Sequence, residues 1–505
     1  MVDVTIEYQT VLRGHGMSVS PRDAHLDAVD WQDLRAQSHR MVDDMIDYVA
    51  GIRDRPVWQP MNPAVRAVFQ ADLPQDPTDL SQVYRDFQEY VLPYAVGNVH
   101  PGFMGWVHGG GTAVGMLAEM LAGGLNANCG GRDHAPIEVE RQIVDWARQL
   151  FGFPAGASGL FVTGSSIANF IALLVARRAA LGGAVRQTGL SAAGPRLVAY
   201  ASVAAHDCIA RAMDYAGLGS NALHLIPADK SHRMDLDALR RSIADDRGAG
   251  LTPFLIVGSA GTVGIGAIDD LAGMADLAAA EQLWFHVDGA YGALGILSPD
   301  IAPRLAGIER AHSLALDFHK WGQVPYDAGF ILVRDGTMHR DTFATSADYL
   351  HRDSRGLAAG EFWPHDFGPD LSRGCRALKT WFTLRVYGLD QLGAAISRTC
   401  RVARHLEMRV AADARLELLA PVQLNIVCFR YRGDDADVLN AAIVADIQES
   451  GVAAPSTTRI DGRLAIRAAI FNHRTRECDA NALVEAVLRH GNRRCSSQQS
   501  NTGLP

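Results

Sequence analysis

Short apolar runs alternate with amphipathic stretches through the middle of the chain. The runs predict strands at 160–163, 196–201, 222–226, 254–259, 284–287 and 313–317. The stretches between them repeat their apolar residues at helical spacing. This alternation predicts an α/β fold with a mainly parallel sheet covered by helices. In such sheets, ligands bind at the carboxyl ends of the strands.

Helical patterns without neighbouring strands come earlier, at 31–52 and 80–91. A partner subunit or the same chain would cover their apolar faces. Beyond Trp381 the pattern changes, and a long helix through Leu384 and up to Val410 leads into a smaller α+β region with strands near 424–431 and 464–470. We therefore predict an N-terminal helical segment packed on a partner subunit (1–95), a large domain (96–385), a small C-terminal domain (386–491) and a disordered polar tail (492–505).

The composition narrows the class of protein. Of 505 residues, 48% are apolar and 20% are charged, as in ordinary globular proteins, and the net charge of -9 argues against nucleic acid as a partner. The seven cysteines are scattered singly, so we expect a reduced, cytoplasmic protein without disulfides or a metal site. The first residues lack a signal-peptide pattern, and no apolar run reaches about 18 residues, so no membrane span is expected.

Three polar features follow predicted strands. Gly164-Ser165-Ser166 begins a helix and suits a phosphate, although such turns also merely join β to α. Asp288 ends a strand, where a buried carboxylate needs a cationic partner; an N-cap or a salt bridge would also explain it. Lys320 follows the last strand, where burial makes an amine nucleophilic; a surface lysine after an edge strand is the alternative.

The combination is more specific than any of its parts. A phosphate turn, an acid at a strand end and a buried lysine are what pyridoxal 5′-phosphate (PLP) requires. The turn holds the phosphate, the aspartate keeps the ring nitrogen protonated, and the lysine holds the aldehyde as a Schiff base. The sequence therefore predicts a PLP enzyme.

At these residues the chain resembles the group II PLP-dependent amino-acid decarboxylases, which include aromatic-amino-acid, glutamate, histidine and tyrosine decarboxylases. The resemblance extends over roughly residues 35–490 and is carried by His286-Val287-Asp288 with Ala290-Tyr291-Gly292, by His319-Lys320-Trp321 with Val324-Pro325-Tyr326-Asp327, and by Arg376-Ala377-Leu378-Lys379 with Trp381-Phe382-Thr383-Leu384-Arg385. It implies PLP fold type I, similar to aspartate aminotransferase, with a seven-stranded sheet in the large domain. It also implies a homodimer with active sites near the interface.

The resemblance implies roles around the cofactor. Lys320 would form the Schiff base, and Asp288 would hold the ring nitrogen. His206 would stack on one face of the ring, with a satisfied core histidine as the alternative, and Ala290 would pack on the other face. The remaining cofactor contacts would come from Ser165, Ser166, Thr262 and His319.

On the substrate side, Tyr349 falls where the family has a loop tyrosine that protonates the carbanion left by departing carbon dioxide. An ordinary loop tyrosine is the alternative. Arg467 matches an arginine that meets the substrate carboxylate, with a structural ion pair as the alternative, and His100 is assigned to substrate binding as well. The predicted catalytic residues are thus Lys320, Asp288, His206 and Tyr349.

The chain departs from the family's motifs in several places. The turn that usually reads Gly-Gly-Ser-Glu-Ala-Asn has Ile167 in place of the acid, and Gly-Thr-Thr becomes Gly261-Thr262-Val263. Phe318 stands where a small residue or proline is common. The loop 132–134, Arg-Asp-His, is more neutral in aromatic-specific members and is expected near the substrate mouth. A polar or charged substrate therefore fits as well as an aromatic one.

We expect a decarboxylase that converts a small L-amino acid into the corresponding amine. Oxygen-dependent decarboxylation with deamination to an aldehyde, or transamination, is the alternative. Because phenylalanine often replaces the loop tyrosine in aldehyde-forming relatives, Tyr349 favours the amine. A non-catalytic binding scaffold is disfavoured by the presence of Lys320, Asp288 and His206 together.

Overall fold

The computed structural model describes residues 26–191, 194–345 and 352–501. The chain separates into two compact units, residues 1–50 and 51–505. In the first unit, the amphipathic pattern near 31–52 forms helix α1 (Trp31–Ala50). All the elements that follow belong to the second unit.

The second unit contains both helices and strands in alternation. Its α-helices are α2 (Pro63–Val68), α3 (Leu80–Asp86), α4 (Ala113–Leu125), α5 (Ala135–Leu150), α6 (Ser165–Leu181), α7 (Val185–Thr188), α8 (Cys208–Tyr215), α9 (Leu236–Gly248), α10 (Leu271–Glu281), α11 (Gly336–Phe343), α12 (Arg376–Ala411), α13 (Ala436–Glu449) and α14 (Glu477–Asn501). Its strands are β1 (Phe103–Met104), β2 (Ser158–Val162), β3 (Leu197–Ser202), β4 (Leu223–Ile226), β5 (Thr252–Ser259), β6 (Trp284–Asp288), β7 (Ser313–Asp317), β8 (Gly329–Val333), β9 (Leu416–Leu418), β10 (Ile426–Tyr431), β11 (Ala454–Ile460) and β12 (Arg463–Ala469).

The large sheet has seven strands in the order β2-β8-β7-β6-β5-β3-β4. Neighbouring strands are parallel except at β8, which runs antiparallel to both β2 and β7. Strands β2, β3 and β7 are buried along their whole length because helices cover the sheet. The predicted α/β class is confirmed. The apolar runs in the sequence predict the other six strands of this sheet but not β8.

A second sheet has five strands in the order β1-β11-β12-β10-β9. Strand β1 is parallel to β11, and the other neighbours are antiparallel. Because β1 lies at residues 103–104, part of the region assigned to the large domain joins the small sheet. Helix α12 continues through the predicted boundary at 385/386 and changes direction at Gly388, whose φ is 69°.

The prediction of a disordered tail from residue 492 is wrong as far as Asn501, because α14 continues to that residue. Arg494 donates to both carboxylate oxygens of Asp446 on α13, at 2.7 and 2.6 Å. The Tyr431 hydroxyl donates to Asn492 at 2.9 Å. These side-chain contacts anchor the helix, and composition alone does not reveal them. Among the residues that the structure describes, no helix is both long and apolar enough for a membrane crossing.

Candidate active site

A cavity of about 450 Å³ opens at the carboxyl ends of the strands of the large sheet. Residues just beyond β2, β3, β5, β6 and β7 line it, together with residues of β11 and β12. The lining includes nine predicted site residues: Ser165, Ser166, His206, Thr262, Asp288, Ala290, His319, Lys320 and Arg467. Residues far apart in the sequence thus meet where a parallel sheet places its ligands.

Lys320 reaches the cavity from a tight turn after β7. Its backbone N–H donates to the carbonyl oxygen of Asp317 at 3.2 Å. The loop at Gly109 packs against this turn so closely that a Cβ on Gly109 would lie 2.4 Å from the carbonyl oxygens of both His319 and Lys320. A glycine is therefore needed at position 109 for close approach of two backbone segments.

Asp317, the last residue of β7, was given no role in the sequence analysis. Its carboxylate lies 2.7 Å from the Lys320 Nζ and accepts hydrogen bonds of 2.7 Å from both the backbone N–H and the hydroxyl of Ser165. Burial alone would raise the pKa of Asp317, but the nearby charge of Lys320 and the hydrogen bonds from Lys320 and Ser165 lower it below its usual value. Its place in a fully buried strand, three residues before the lysine, was the available sequence signal.

Asp288 sits in a different environment at the end of the adjacent strand. The carboxylate is buried, and among the described residues it accepts a hydrogen bond from the backbone N–H of Ala290 at 3.1 Å. Burial raises the pKa of Asp288, although the charge of Lys320 and the hydrogen bond from Ala290 oppose the shift. A buried carboxylate held by one backbone donor fits a protonated ring nitrogen as its partner.

The phosphate turn opens helix α6. Gly164 is the N-cap of this helix. Ser165 donates hydrogen bonds to the Asp317 carboxylate from both its backbone N–H and its hydroxyl. Ser166 is exposed and lines the cavity. The exposed Ser166 and the positive end of the helix dipole favour an anion here, so the turn fits a phosphate.

Four further residues complete the lining. The ring of His206 is exposed, and its Nδ1 accepts the backbone N–H of Cys208 at 3.1 Å. The Thr262 hydroxyl accepts the backbone N–H of Ala267 at 3.0 Å. The His319 Nδ1 accepts the backbone N–H of Ala328 at 3.0 Å, and burial lowers the pKa of His319 to about 4, so its ring is neutral at pH 7. The small side chain of Ala290 also lines the cavity. These residues fit the heterocyclic ring and phosphate of PLP.

Arg467 on β12 is 4% exposed, and its guanidinium binds the protein backbone. It donates to the carbonyl oxygens of Val263 and Trp106 at 2.6 and 3.0 Å, and to that of Gly264 at 3.2 Å. The described residues place no carboxylate within ion-pair distance of it, so the structural ion pair weighed in the sequence analysis is not seen. Arg467 instead fixes the 263–264 turn and leaves its positive charge uncompensated in the cavity.

Two of the predicted site features do not line this cavity. His100 is 7% exposed and does not line it; its Nδ1 accepts the backbone N–H of Gly102 at 2.9 Å. The loop 132–134 does not line it either, and Arg132 instead lies 4.7 Å from the ring centre of Trp363. The expectation that this loop lies near the substrate mouth stays a prediction. Tyr349 lies outside the described residues.

One wall of the cavity is aromatic, and the sequence analysis assigned none of this wall to the substrate. We call the rings of Trp106, His108, Tyr326 and His319 the aromatic wall. Neighbouring ring centres along it are 6.1, 5.7 and 4.3 Å apart. Burial and the charge of Lys320 lower the pKa of His108, so this ring is neutral as well. The bulky residues after Gly105 and in the Val324–Asp327 segment were the sequence signal.

The mainly parallel sheet, the lysine after its strand, the buried aspartate and the phosphate turn define a PLP-dependent enzyme of fold type I. The solved structure of Oryza sativa TDC with PLP and tryptamine matches with a TM-score of 0.85 at 24% identity, over 93% of this chain and 99% of that one. A glutamate decarboxylase domain from Vibrio parahaemolyticus matches with a TM-score of 0.81 at 27% identity, over 93% and 97%.

The chain belongs to the pyridoxal-dependent decarboxylase family, whose conserved domain matches residues 63–432. It is 32% identical over 458 residues to the aromatic-L-amino-acid decarboxylase of Bacillus atrophaeus, covering 88% of this chain and 92% of that one. The aromatic-L-amino-acid decarboxylase of Sus scrofa is also 32% identical, over 465 residues, 88% of this chain and 93% of that one. The protein is therefore a PLP-dependent amino-acid decarboxylase, as the sequence analysis predicted.

Proposed function

We propose that this protein removes the α-carboxyl group of an L-amino acid with an aromatic side chain and releases the amine. The observation that carries the choice of side chain is the aromatic wall, which lies in the same cavity as Lys320. Flat rings gain from stacked and edge-to-face contacts with other rings at about 4.5–7 Å. The loop 132–134, the reason to consider a charged substrate, is absent from the described lining. Relatives named as aromatic-amino-acid decarboxylases add weight.

We infer the following roles for residues on the cofactor side. PLP, when bound, supplies an electron sink for the bond to the departing carboxyl group. Asp288 holds a proton on the ring nitrogen, and Lys320 supplies the amine that attaches the cofactor. Ser166 and the start of α6 bind the phosphate, with Ser165 and His319 beside them. His206, Thr262 and Ala290 position the ring.

The substrate carboxylate is the remaining charge that the cavity has to hold. We infer that Arg467 attracts it, because the guanidinium is buried without a carboxylate partner among the described residues. Most of its donors are taken by backbone carbonyl oxygens. Its effect is therefore chiefly electrostatic, and it also fixes the turn at Val263 beside the substrate.

The product is tested with the purified holoenzyme and a panel of aromatic, acidic and basic L-amino acids. Carbon dioxide release with an aromatic substrate, matched by amine, is the expected result. Release only with acidic or basic substrates would refute the aromatic assignment, and no release with any would refute decarboxylation.

We further propose that Tyr349 protonates the substrate carbon, so Tyr349→Phe should shift the product from amine towards aldehyde, ammonia and peroxide. Unchanged amine formation in this variant would refute that role.

The assembly and location are also proposals. We propose a homodimer, as the family resemblance implies, and a cytoplasmic location, as the seven scattered cysteines suggest. Light scattering of the purified protein tests the first. A fully active monomer would contradict it.

A further inference from the structure

Asp317 is the charged residue of the cavity to which the account so far gives no task. Its side chain is almost fully buried, and its Oδ2 lies 2.7 Å from the Lys320 Nζ. The same carboxylate accepts hydrogen bonds from the backbone N–H and the hydroxyl of Ser165. The reactive amine, the acid and the start of the phosphate helix thus form one connected group.

The other titratable groups near Asp317 do not replace Lys320 as its cation. The His319 Nε2 is 3.8 Å away, beyond hydrogen-bond distance, and that ring is neutral because its Nδ1 accepts an N–H and its pKa is low. Asp288 on the adjacent strand has the same sign of charge as Asp317. Tyr326 shares the cavity as a neutral phenol, because burial raises its pKa. Lys320 is therefore the charge partner of Asp317 among the described residues.

This pairing conflicts with the chemistry that Lys320 has to perform. An ammonium has no lone pair with which to attack an aldehyde, and an ion pair with a buried carboxylate keeps the proton on the amine. If the proton moves to Asp317, the acid loses its cation. Burial then favours the protonated, neutral carboxyl group, so that Asp317 can keep the proton.

We propose that Asp317 is the positioning counter-ion of Lys320 during cofactor loading: it holds the ammonium in the cavity and then takes one proton from it. The neutral amine bonds to the aldehyde carbon of PLP. The aldehyde oxygen leaves as water with the two hydrogens that remain on the amine, and nothing is oxidised or reduced. This inference rests on Lys320 as the lysine that binds PLP.

The test uses Asp317→Asn, which keeps an oxygen for the Ser165 N–H but removes the charge. Cofactor-free enzyme is mixed with PLP across a range of pH, and the absorbance of the lysine-bound cofactor is followed without any substrate. We expect the midpoint of the pH dependence of the bonding rate to move to lower pH by about 1–3 units. Below the wild-type midpoint, the variant should load at least about tenfold faster. An unshifted midpoint would overturn the proposal.

Two controls separate charge from other effects. Ser165→Ala removes one hydrogen bond to Asp317 but keeps the charge, so its midpoint should move by less than that of Asp317→Asn. A shift equal to that of Asp317→Asn would overturn the charge argument. Pyridoxine 5′-phosphate, which has an alcohol in place of the aldehyde, carries the phosphate but cannot form a Schiff base with Lys320. Its affinity should change less than about twofold in Asp317→Asn. A change of tenfold or more would show that Asp317 acts on the phosphate instead.

The wild-type enzyme offers a measurement that does not depend on a variant folding. Loading with PLP should produce the infrared band of a newly protonated carboxyl group. Loading without this band would refute proton transfer to Asp317. If no lysine-bound cofactor forms at any pH, the premise that Lys320 binds PLP fails, and the proposal fails with it. The proposed function is tested separately, by the substrate assays of the holoenzyme.

Discussion

At the scale of single residues, two carboxylates in one cavity differ because their surroundings differ. Asp317 has a cation and two Ser165 donors, so its pKa is lowered. Asp288 is held by one backbone N–H, so burial prevails and its pKa is raised. A raised pKa is expected for a buried acid whose cationic partner is supplied by a ligand.

Asp288→Asn should weaken cofactor binding, because an amide cannot neutralise a protonated ring nitrogen. A hydrogen bond to a charged group is worth about 1.5–3 kcal/mol, so we expect the Kd of PLP to rise by about tenfold or more. Titration of the cofactor-free variant with PLP measures this. Asp237→Asn, on the exposed face of α9, is the matched control and should bind like the wild type. Equal affinities for both variants would contradict the role of Asp288.

At the scale of elements, a buried ion pair holds the segment before α12 in place. The sequence alone does not reveal this pair. Arg373 donates to both carboxylate oxygens of Glu140 on α5, at 3.0 and 2.7 Å, and both side chains are almost fully buried. Arg373 also donates to the carbonyl oxygen of Phe161 on β2, whose N–H donates to Glu140. The pair therefore joins α5, β2 and the segment before α12.

Arg373→Ala should lower the free energy of unfolding by about 3–5 kcal/mol, because it leaves a buried carboxylate without its cation. Urea denaturation followed by circular dichroism measures the loss. Arg141→Ala on the same helix as Glu140 is the control: Arg141 pairs with Glu138 on the surface, and such pairs contribute little. A loss for Arg373→Ala as small as that of the control would show that the pair does not hold these elements together.

The distance along the chain over which a sequence pattern acts decides which structural features it predicts. Runs of apolar residues are local, so six strands of the large sheet and the long helix near α12 were predictable. The resemblance at the lysine and aspartate motifs located most of the cavity. Strand β8, the small-sheet position of β1 and the end of α14 depend on partners distant in sequence. The aromatic wall and the bond from Ser165 to Asp317 likewise appear only when loops meet in the fold.

At the scale of the whole molecule, buried neutral histidines tie stability to pH. Burial lowers the pKa of His286, His339 and His473 to about 3 and that of His319 to about 4. A histidine in the unfolded chain titrates near 6.5, so between that pH and the folded pKa the unfolded state binds more protons. The stability that these neutral histidines contribute is therefore fully present above about pH 6.5 and is lost as the pH falls towards their folded-state pKa values.

Each of these histidines should remove up to about 1.4 kcal/mol of stability per unit of pH below 6.5. Urea midpoints measured from neutral to acidic pH test this. His339→Asn is the informative variant, because His339 bonds to Ser158 outside the cavity lining and its loss should reduce the slope by about one proton. A slope that the substitution leaves unchanged, or stability that rises towards acidic pH, would contradict the account.

The central claim is that Lys320 carries the cofactor, and the chain makes the test unusually selective because it contains three lysines, at 230, 320 and 379. Lys230 is exposed, and the buried Lys379 donates to the carbonyl oxygen of Tyr326 at 3.0 Å. Borohydride reduction of the holoenzyme, followed by digestion and mass spectrometry, fixes the cofactor to its lysine. The account predicts the reduced cofactor on the peptide containing Lys320. Label on Lys230 or Lys379, or none on any lysine, would contradict it.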